Sequence, residues 1–368
     1  MSALFSPLTI GSTGFANRVF VSPMCQYSAF AGVVGDWHRQ HYGALAISGA
    51  GALTLEATAV APEGRITHGC AGLWNDRQSD ALTGLVESLH GLSSARIGIQ
   101  IGHAGRKASC TAPWDGGDGL TDGGWPILAP SALPFGPGRV TPSAMTRDDI
   151  DRVIEDFAHT AGRALRAGFD FLELHLAHGY LLSSFMTPLA NERTDEYGGT
   201  LEKRMRFVLE VVARVRSVWP VDKPLGARIN AHDWVDGGMS FDDTLVLCDA
   251  LKDVGLDFVC VSAGAVEAGV RIPAAPGYLL NYAKEVRERT GLVTRVVGHL
   301  DDPDLAEQAI AGGSADCVAL ARCVLFDPRW PMKAAHRLGA GDLFPKQLVL
   351  ARPSRWATGE TLIDRMWP

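Results

Sequence analysis

Two histidines and a tyrosine form the densest group of reactive side chains in this sequence. His175 and His178 stand three residues apart, and Tyr180 follows two residues later. Two imidazoles on one turn can donate hydrogen bonds to a single carbonyl oxygen that becomes anionic during a reaction. A phenol, with a pKa of about 10, is a weak acid suited to protonating a carbanion-like carbon. The spacing predicts an oxyanion site with a proton donor beside it.

The same residues allow two other interpretations. A zinc site needs a third ligand, and neither Cys nor Asp offers one at a recognised spacing. A metal-dependent barrel hydrolase therefore rests on His175 and His178 alone. The two histidines could also be ordinary core residues.

Arg228 and Gln100 are polar residues at the ends of two predicted apolar strands. A charge buried there needs compensation, and a ring that gains negative charge on reduction would supply it. Arg228 could place its positive charge beside the pyrimidine edge of a flavin. Gln100 could donate to and accept from the amide-like edge of the same ring, so both residues match this need. The alternative is a structural Arg228 paired with Glu56.

Small residues follow the predicted seventh and eighth strands, where barrels of this kind usually bind phosphate. Gly298 lies in the first loop, and Ala321 and Arg322 lie in the second. Small residues let the backbone approach an anion, and an arginine adds a charge-assisted partner. Because no GxGxxG or GxxxxGK[ST] sequence stands at a strand-to-helix junction, a dinucleotide-binding fold is disfavoured.

Cys25 follows the first predicted strand, directly after Pro23 and Met24. A thiol there could hydrogen-bond the reacting edge of a flavin and adjust its potential. A buried, inert cysteine is the alternative. If the chain stays extended, Tyr27 points the same way as Cys25 and could form a wall of the substrate pocket.

The elements that must position these residues alternate between strands and helices. Continuous apolar runs are typical of strands buried on both faces, and their alternation with helices indicates a parallel sheet. Helix starts are predicted at Thr146, Ser240 and Asp302, the last followed by Pro303. The eight runs predict the α/β class and a closed (β/α)8 TIM barrel, and they are 19–22, 53–58, 97–101, 169–174, 225–229, 258–262, 295–297 and 317–320.

We expect one barrel domain over residues 1–341 and a tail over 342–368. Residues 104–143 are dense in Gly, Pro and Trp, far longer than an ordinary connection, and plausible as a loop that covers the site. The alternative is a loop without function. Trp356 and Trp367 in the tail have no evident helix to bury them, and an intersubunit contact would cover them.

Composition excludes several classes of protein. Hydrophobic residues are 46% and charged residues 20% of the 368-residue chain, which excludes wholesale disorder. The net charge of −7, without a basic run, argues against a nucleic-acid partner. Seven cysteines without a Cys-x-x-Cys pair indicate neither a disulfide framework nor a cysteine metal cage. With no signal sequence or sustained apolar stretch, we expect no membrane partner and a cytoplasmic location.

Several motifs together resemble the old yellow enzyme family, most closely its Cys-containing xenobiotic reductase and thermophilic-like branch. Each motif is weak alone, but they span nearly the whole chain in the family's order. They are Pro23-Met24-Cys25-Gln26-Tyr27, Glu56-Ala57-Thr58, Gln100 to Arg106, His175-x-x-His178-Gly179-Tyr180-Leu181, Asn191-x-Arg193-x-Asp195-x-Tyr197-Gly198-Gly199 and Ala321-Arg322.

The resemblance implies tightly bound FMN and a role for each residue of the site. His175 and His178 would bind the carbonyl oxygen, Tyr180 would donate the proton, and Tyr27 would border the substrate. The residues implied to hold FMN are Ser22, Pro23, Met24, Cys25, Ala57, Gln100, Arg228, Gly298, Ala321 and Arg322.

The resemblance also implies a reaction. Hydride would pass from NADPH or NADH to flavin N5 and then, in a ping-pong cycle, to the β-carbon of an activated alkene, with nitro compounds as a further substrate class. A homodimer or homotetramer is expected. A non-catalytic flavin-binding redox sensor, with Cys25 as its switch, stays open beside the hydrolase.

Three positions depart from the family pattern. Ala321 stands where the relatives usually have glycine. His299 stands near the place of a pocket tryptophan in this branch, which leaves the substrate open. Arg355 and Trp356 stand near the residues expected to reach a neighbouring active site, but the tail aligns loosely.

Overall fold

The computed structural model describes residues 2–359, Thr361 and Arg365. Eight parallel strands close into a barrel in which each strand pairs with its neighbour in sequence and the eighth pairs with the first. The predicted (β/α)8 TIM barrel is confirmed. The strands, labelled β1 to β8, are Val19–Val21, Ala52–Ala59, Arg96–Gly102, Phe171–Leu176, Leu225–Asn230, Phe258–Ser262, Val293–Val296 and Cys317–Leu320.

Helices cover the outside of the barrel. Short helices at Leu181–Met186 and Arg322–Phe326 follow β4 and β8, and a hairpin of Leu8–Ile10 with Thr13–Phe15 precedes β1. The longer helices, labelled α1 to α8, are Asp36–Ala46, Asp76–Leu92, Arg147–Arg166, Leu201–Arg216, Phe241–Asp253, Leu280–Thr290, Pro303–Ala311 and Trp330–Arg337.

The predicted helix starts are confirmed. The side chains of Thr146, Ser240 and Asp302 each accept a hydrogen bond from a backbone N–H in the first turn of the helix that follows. Pro303 is the first residue of α7, where a missing N–H costs nothing. These caps fix the first residue of each helix. They therefore also fix where the preceding loops, which carry the site, must end.

The predicted bounds were wrong by two residues for β4 and β7. β4 runs to Leu176, so that His175 lies inside the strand instead of directly after it. The apolar pattern ended the prediction too early because polar residues continue the buried strand. β7 begins at Val293, ahead of Arg295, whose side chain forms a buried ion pair with Glu173.

Residues 104–143 join β3 to α3 with little regular structure. Their two-residue strand Leu128–Ala129 pairs with Ser143–Ala144. Arg193, from the loop after the short helix Leu181–Met186, donates hydrogen bonds to the carbonyl oxygens of Pro130 and Met145 at 3.0 and 2.6 Å. The function of this segment as a cover stays a prediction.

The intersubunit contact of the tail and the domain boundary at residue 341 also stay predictions. Trp356 is 42% exposed, and Trp367 lies outside the described residues. Among the helices described, none is long and apolar enough to cross a membrane. The cytoplasmic location is not tested by that finding and stays a prediction.

Candidate active site

The structure brings His175, His178 and Tyr180 together at the carboxyl end of β4. The centre of the His175 ring lies 5.1 Å from that of His178 and 4.8 Å from that of Tyr180. Tyr180 immediately precedes the helix Leu181–Met186, so its backbone is held by the start of that helix. The predicted cluster is therefore present as a group of three adjacent rings.

Burial controls the protonation of this cluster. It lowers the pKa of His175 and of His178 well below the usual value, and the nearby charge of Arg228 adds to the effect. Burial also raises the pKa of the Tyr180 hydroxyl. At neutral pH the imidazoles are thus uncharged, each with one N–H, and the phenol keeps its proton.

The backbone of His178 is left-handed, with φ of 63°, a conformation that costs energy for a residue other than glycine. Hydrogen bonds to the N–H and to the carbonyl oxygen of His178 hold this backbone conformation. The His178 N–H donates to Asn230 Oδ1 at 3.2 Å, and Lys107 Nζ donates to the His178 carbonyl oxygen at 2.8 Å. Both peptide groups that flank this left-handed residue are therefore held by side chains.

Arg228 lies on β5 and donates through Nη2 to Ser262 Oγ at 3.2 Å. The alternative in which it pairs with Glu56 is wrong. The Glu56 carboxylate instead lies 3.3 Å from His38 Nε2 and 3.2 Å from the Tyr42 hydroxyl. Among the described residues no carboxylate lies within 4 Å of Arg228, and its Nε is buried without a hydrogen-bond partner there.

Gln100 lies on β3 and is almost fully buried. Its Nε2 donates to Glu173 Oε1 at 2.7 Å, and Glu173 pairs with Arg295 across the barrel interior. The side chain is thus oriented from below by an ion pair.

The segment after β1 carries Cys25 and Tyr27. The premise of an extended chain was wrong, because Tyr27 has φ of 50°. The two side chains remain close enough for Tyr27 to lower the pKa of the Cys25 thiol slightly, against the larger effect of burial. Burial, with Cys70 and Glu56 adding, raises the pKa of Cys25 well above the usual value, so that it is a neutral thiol. Pro23 and Met24 are half-buried, and Ser22 Oγ is buried without a partner.

Two cavities are lined by eight of the predicted site residues. The other predicted residues line neither cavity, and they are Ser22, Pro23, Met24, Cys25, Tyr27 and Gln100. The larger cavity, of about 760 Å³, is in the size range of cofactor sites. The smaller, of about 20 Å³, is lined by Ala57, His175 and Tyr180 among others. The predicted residues that line the larger cavity are His178, Arg228, Gly298, Ala321 and Arg322.

The larger cavity fits FMN. Arg228 lines it with an unpartnered buried nitrogen, which is the donor that a reduced flavin ring needs. Gly298 has φ of 117°, and a Cβ there would lie 2.9 Å from Tyr278. Glycine is therefore required at that point, and the backbone stays bare toward the cavity. Arg322 adds a cation to the same lining.

Sequence reasoning missed Lys107 and Ser262. Lys107 Nζ lies 4.8 Å from the centre of the Tyr180 ring and 4.4 Å from that of Phe135, in the irregular segment where no periodicity gave a register. Ser262 was recognised as the last residue of β6 but received no role. The only indication in the sequence that Ser262 could belong to the site was its position at the end of a strand.

Within the part of the chain that the structure describes, no three His, Cys, Asp or Glu side chains are grouped as metal ligands.

Comparison with known proteins agrees with this geometry. Residues 3–340 match the model of the NADH:flavin oxidoreductase / NADH oxidase family. A relative, the NADPH dehydrogenase of Geobacillus sp. (strain WCH70), is 42% identical over 338 residues, which are 91% of this chain and 94% of the relative. The structure of morphinone reductase in complex with tetrahydroNAD superposes with a TM-score of 0.76 at 29% identity, covering 92% of this chain and 91% of that one.

A second solved structure shows the fold alone. The complex of 2-naphthoyl-CoA reductase with 2-naphthoyl-CoA has a TM-score of 0.83 at 24% identity. The match covers 91% of this chain but only 52% of that protein, so the chain spans about half of its length.

Proposed function

Because the chain belongs to the NADH:flavin oxidoreductase / NADH oxidase family, we propose that it reduces the activated C=C bond of α,β-unsaturated carbonyl compounds. It is an FMN-dependent oxidoreductase that uses NADH or NADPH as hydride donor. FMN, when bound, would supply the hydride-transfer chemistry that links oxidation of the nicotinamide to reduction of the alkene in a ping-pong cycle.

His175 and His178 bind the carbonyl oxygen of the substrate in this proposal. Both are neutral because burial lowers their pKa, so each offers one N–H without carrying a charge. Such donors stabilise the negative charge that grows on the oxygen as hydride reaches the β-carbon. They act most strongly in the transition state, which is where binding accelerates a reaction.

Tyr180 then protonates the neighbouring carbon. Its raised pKa keeps the phenol protonated at neutral pH, and its ring lies against His175 at 4.8 Å. A carbanion-like carbon is basic enough to take a proton from such a weak acid. Tyr27, which lies close to Cys25, borders the substrate on the other side.

The residues proposed to hold FMN fall into groups according to the part of the cofactor that each would contact. Arg228 offers a positive charge and Gln100 an oriented amide, both suited to the polar edge of the ring. Gly298, Ala321 and Arg322 serve the phosphate, and Cys25 with Ser22, Pro23, Met24 and Ala57 faces the remaining edges. The single observation that carries the proposal is the triad of rings beside a cavity that holds the unpaired Arg228.

The test is an anaerobic visible spectrum of the purified holoenzyme, before and after NADPH and again after 2-cyclohexenone. We expect flavin absorbance that NADPH bleaches and that the enone restores. Cyclohexanone, which lacks the C=C bond, is the matched control and should leave the flavin reduced. Nitroalkenes added in place of the enone report whether nitro compounds are also accepted.

The alternatives give different results in the same experiment. A redox sensor would hold flavin that no alkene reoxidises, and a metal hydrolase would be colourless and would lose its activity to a chelator. Either result overturns the proposal.

We also propose a homodimer or homotetramer. Leu350 and Trp356 in the tail are 80% and 42% exposed, and a second subunit would cover them. Light scattering on the holoenzyme gives the mass directly, and a monomer would contradict the proposal.

A further inference from the structure

Ser262 is a buried hydroxyl between two residues that the proposed function uses. It is the last residue of β6 and is 3% exposed. Its Oγ lies 2.8 Å from His178 Nε2 and 3.2 Å from Arg228 Nη2. The hydroxyl thus joins a permanent cation on β5 to a histidine in the loop after β4.

The direction of these hydrogen bonds follows from what each group can do. An arginine can only donate, so Ser262 Oγ accepts from Arg228. The single hydroxyl proton must then go to another acceptor, and His178 Nε2 is the one within reach among the described residues. If His178 Nε2 instead donated to Ser262, the hydroxyl proton would have no acceptor among the described residues, and only a ligand in the cavity that Ser262 lines could take it.

The ring of His178 is neutral, as this arrangement requires. Burial and the charge of Arg228 lower its pKa well below the usual value. A neutral imidazole carries one proton, and a hydrogen bond accepted at one nitrogen places that proton on the other. Accepting at Nε2 therefore leaves the N–H at Nδ1.

We infer that Ser262 is a positioning residue that fixes His178 as the Nδ1–H tautomer, so that Nδ1 is the atom that donates to the substrate oxygen. The inference rests on the proposed function, which makes His178 a donor. Ser262 lines the same cavity as His178, and its proposed role is exerted through the histidine.

His175 is fixed in the opposite way. The backbone N–H of Ala177 donates to His175 Nδ1 at 3.3 Å, which leaves the proton of His175 on Nε2. The two imidazoles thus donate from different ring nitrogens, each set by a partner of its own. Only the partner of His178 is a side chain, so only that tautomer can be changed by substitution.

The His178 backbone gives the ring little freedom to escape this arrangement. Asn230 Oδ1 accepts its N–H and Lys107 donates to its carbonyl oxygen, so both peptide groups are held. With the backbone fixed, the hydrogen bond to Ser262 decides which nitrogen is protonated.

The test is ¹⁵N NMR of the oxidised, FMN-loaded enzyme with ¹⁵N-labelled histidine. Protonated and unprotonated ring nitrogens have well-separated shifts, and a His178→Gln variant identifies the signals of His178. We expect a protonated Nδ1 and an unprotonated Nε2 for His178, and the reverse for His175. In Ser262→Ala the His178 signals should move toward the Nε2–H form, whereas Ser262→Thr, which keeps the hydroxyl, should leave them in place.

Binding of p-hydroxybenzaldehyde, whose phenolate imitates the oxyanion, gives a second readout. We expect about tenfold weaker binding to Ser262→Ala and unchanged binding to Ser262→Thr. A wild-type His178 with its proton on Nε2 overturns the inference even if Ser262→Ala does not fold. So does an unchanged tautomer with unchanged affinity in Ser262→Ala. A correct tautomer in an enzyme that reduces no enone would instead overturn the proposed function, which separates the two failures.

Discussion

The ammonium group of Lys107 donates a hydrogen bond of 2.8 Å to the carbonyl oxygen of His178. It also donates to the carbonyl oxygen of Ala265 at 3.2 Å, and both acceptor residues have a left-handed backbone, with φ of 63° and 59°. One lysine therefore ties together the strained turns after β4 and β6. Its position over the Tyr180 ring places a positive charge beside the proposed proton donor.

Because of the charge of Lys107, the rate of the alkene half-reaction should fall at alkaline pH, which gives its pH profile a falling limb. Burial, followed by the charges of Arg139 and Arg106, lowers the pKa of Lys107 to about 8. As the pH rises through that value, the lysine loses the charge that stabilises the phenolate formed at Tyr180. We expect flavin reoxidation by 2-cyclohexenone, followed by stopped-flow absorbance, to slow about tenfold over this range.

Lys107→Arg is the matched control, because a guanidinium keeps its charge throughout. In Lys107→Arg the rate of flavin reoxidation should no longer fall at alkaline pH. In Lys107→Met the same rate should be low at every pH. An identical limb in Lys107→Arg would assign the titration to another group.

Tyr180→Phe should separate the two half-reactions. Without the hydroxyl, protonation of the carbon loses its acid, and reoxidation by the enone should slow by about a hundredfold or more. Flavin reduction by NADPH needs no such proton and should be nearly unchanged. Equal loss in both half-reactions, measured by stopped flow, would remove Tyr180 from the proposed role.

Cys25 should resist alkylation. The thiolate is the reactive form, and burial raises the pKa of this thiol well above the usual value. We expect iodoacetamide at pH 7.5 to modify Cys25 at least about tenfold more slowly than a free cysteine, by mass spectrometry of the peptide. Denatured protein serves as the control. Rapid modification would favour the redox-sensor alternative, which needs an easily formed thiolate.

The buried ion pair of Glu173 and Arg295 should matter for stability. Both side chains are almost fully buried, and Arg295 lies 5.4 and 5.3 Å from the ring centres of Phe20 and Phe258. Glu173→Gln leaves the guanidinium unpaired, so the free energy of unfolding should fall by about 3–5 kcal/mol in urea. Glu173→Gln with Arg295→Met should recover much of the loss. A double variant no better than the single one would show that the charge is not the cause.

Apolar patterning was sufficient to predict the barrel. Two strands, 258–262 and 317–320, were predicted at their observed bounds, because Asp257 and Asp316 directly precede short, mainly apolar runs. β4 was misplaced because the apolar Phe169 lies ahead of the strand and the polar His175 continues it. Like Glu173, which the predicted run did include, His175 is a buried polar residue. Their partners, Arg295 and Tyr180, come from distant or later positions, so no local pattern could show that they are buried.

The site was predictable where its residues follow strands and unpredictable where it depends on contacts between loops. His175, His178 and Tyr180 are close in sequence, and the structure brings their rings together. Lys107 lies in a segment without periodicity, and its contacts depend on left-handed backbone that no residue type announces. Ser262 gains its importance only from side chains on two other elements.

Arg193 holds the carbonyl oxygens of Pro130 and Met145, and hence both ends of segment 131–144. The separation of those ends therefore does not depend on the residues between them. The segment could change length or sequence during evolution without moving the barrel or the histidines. Because the segment brings Phe135 to Lys107, its predicted role as a cover leads us to expect that such exchanges alter which molecules reach the site. Under that prediction, selectivity and catalysis can diverge independently in this chain.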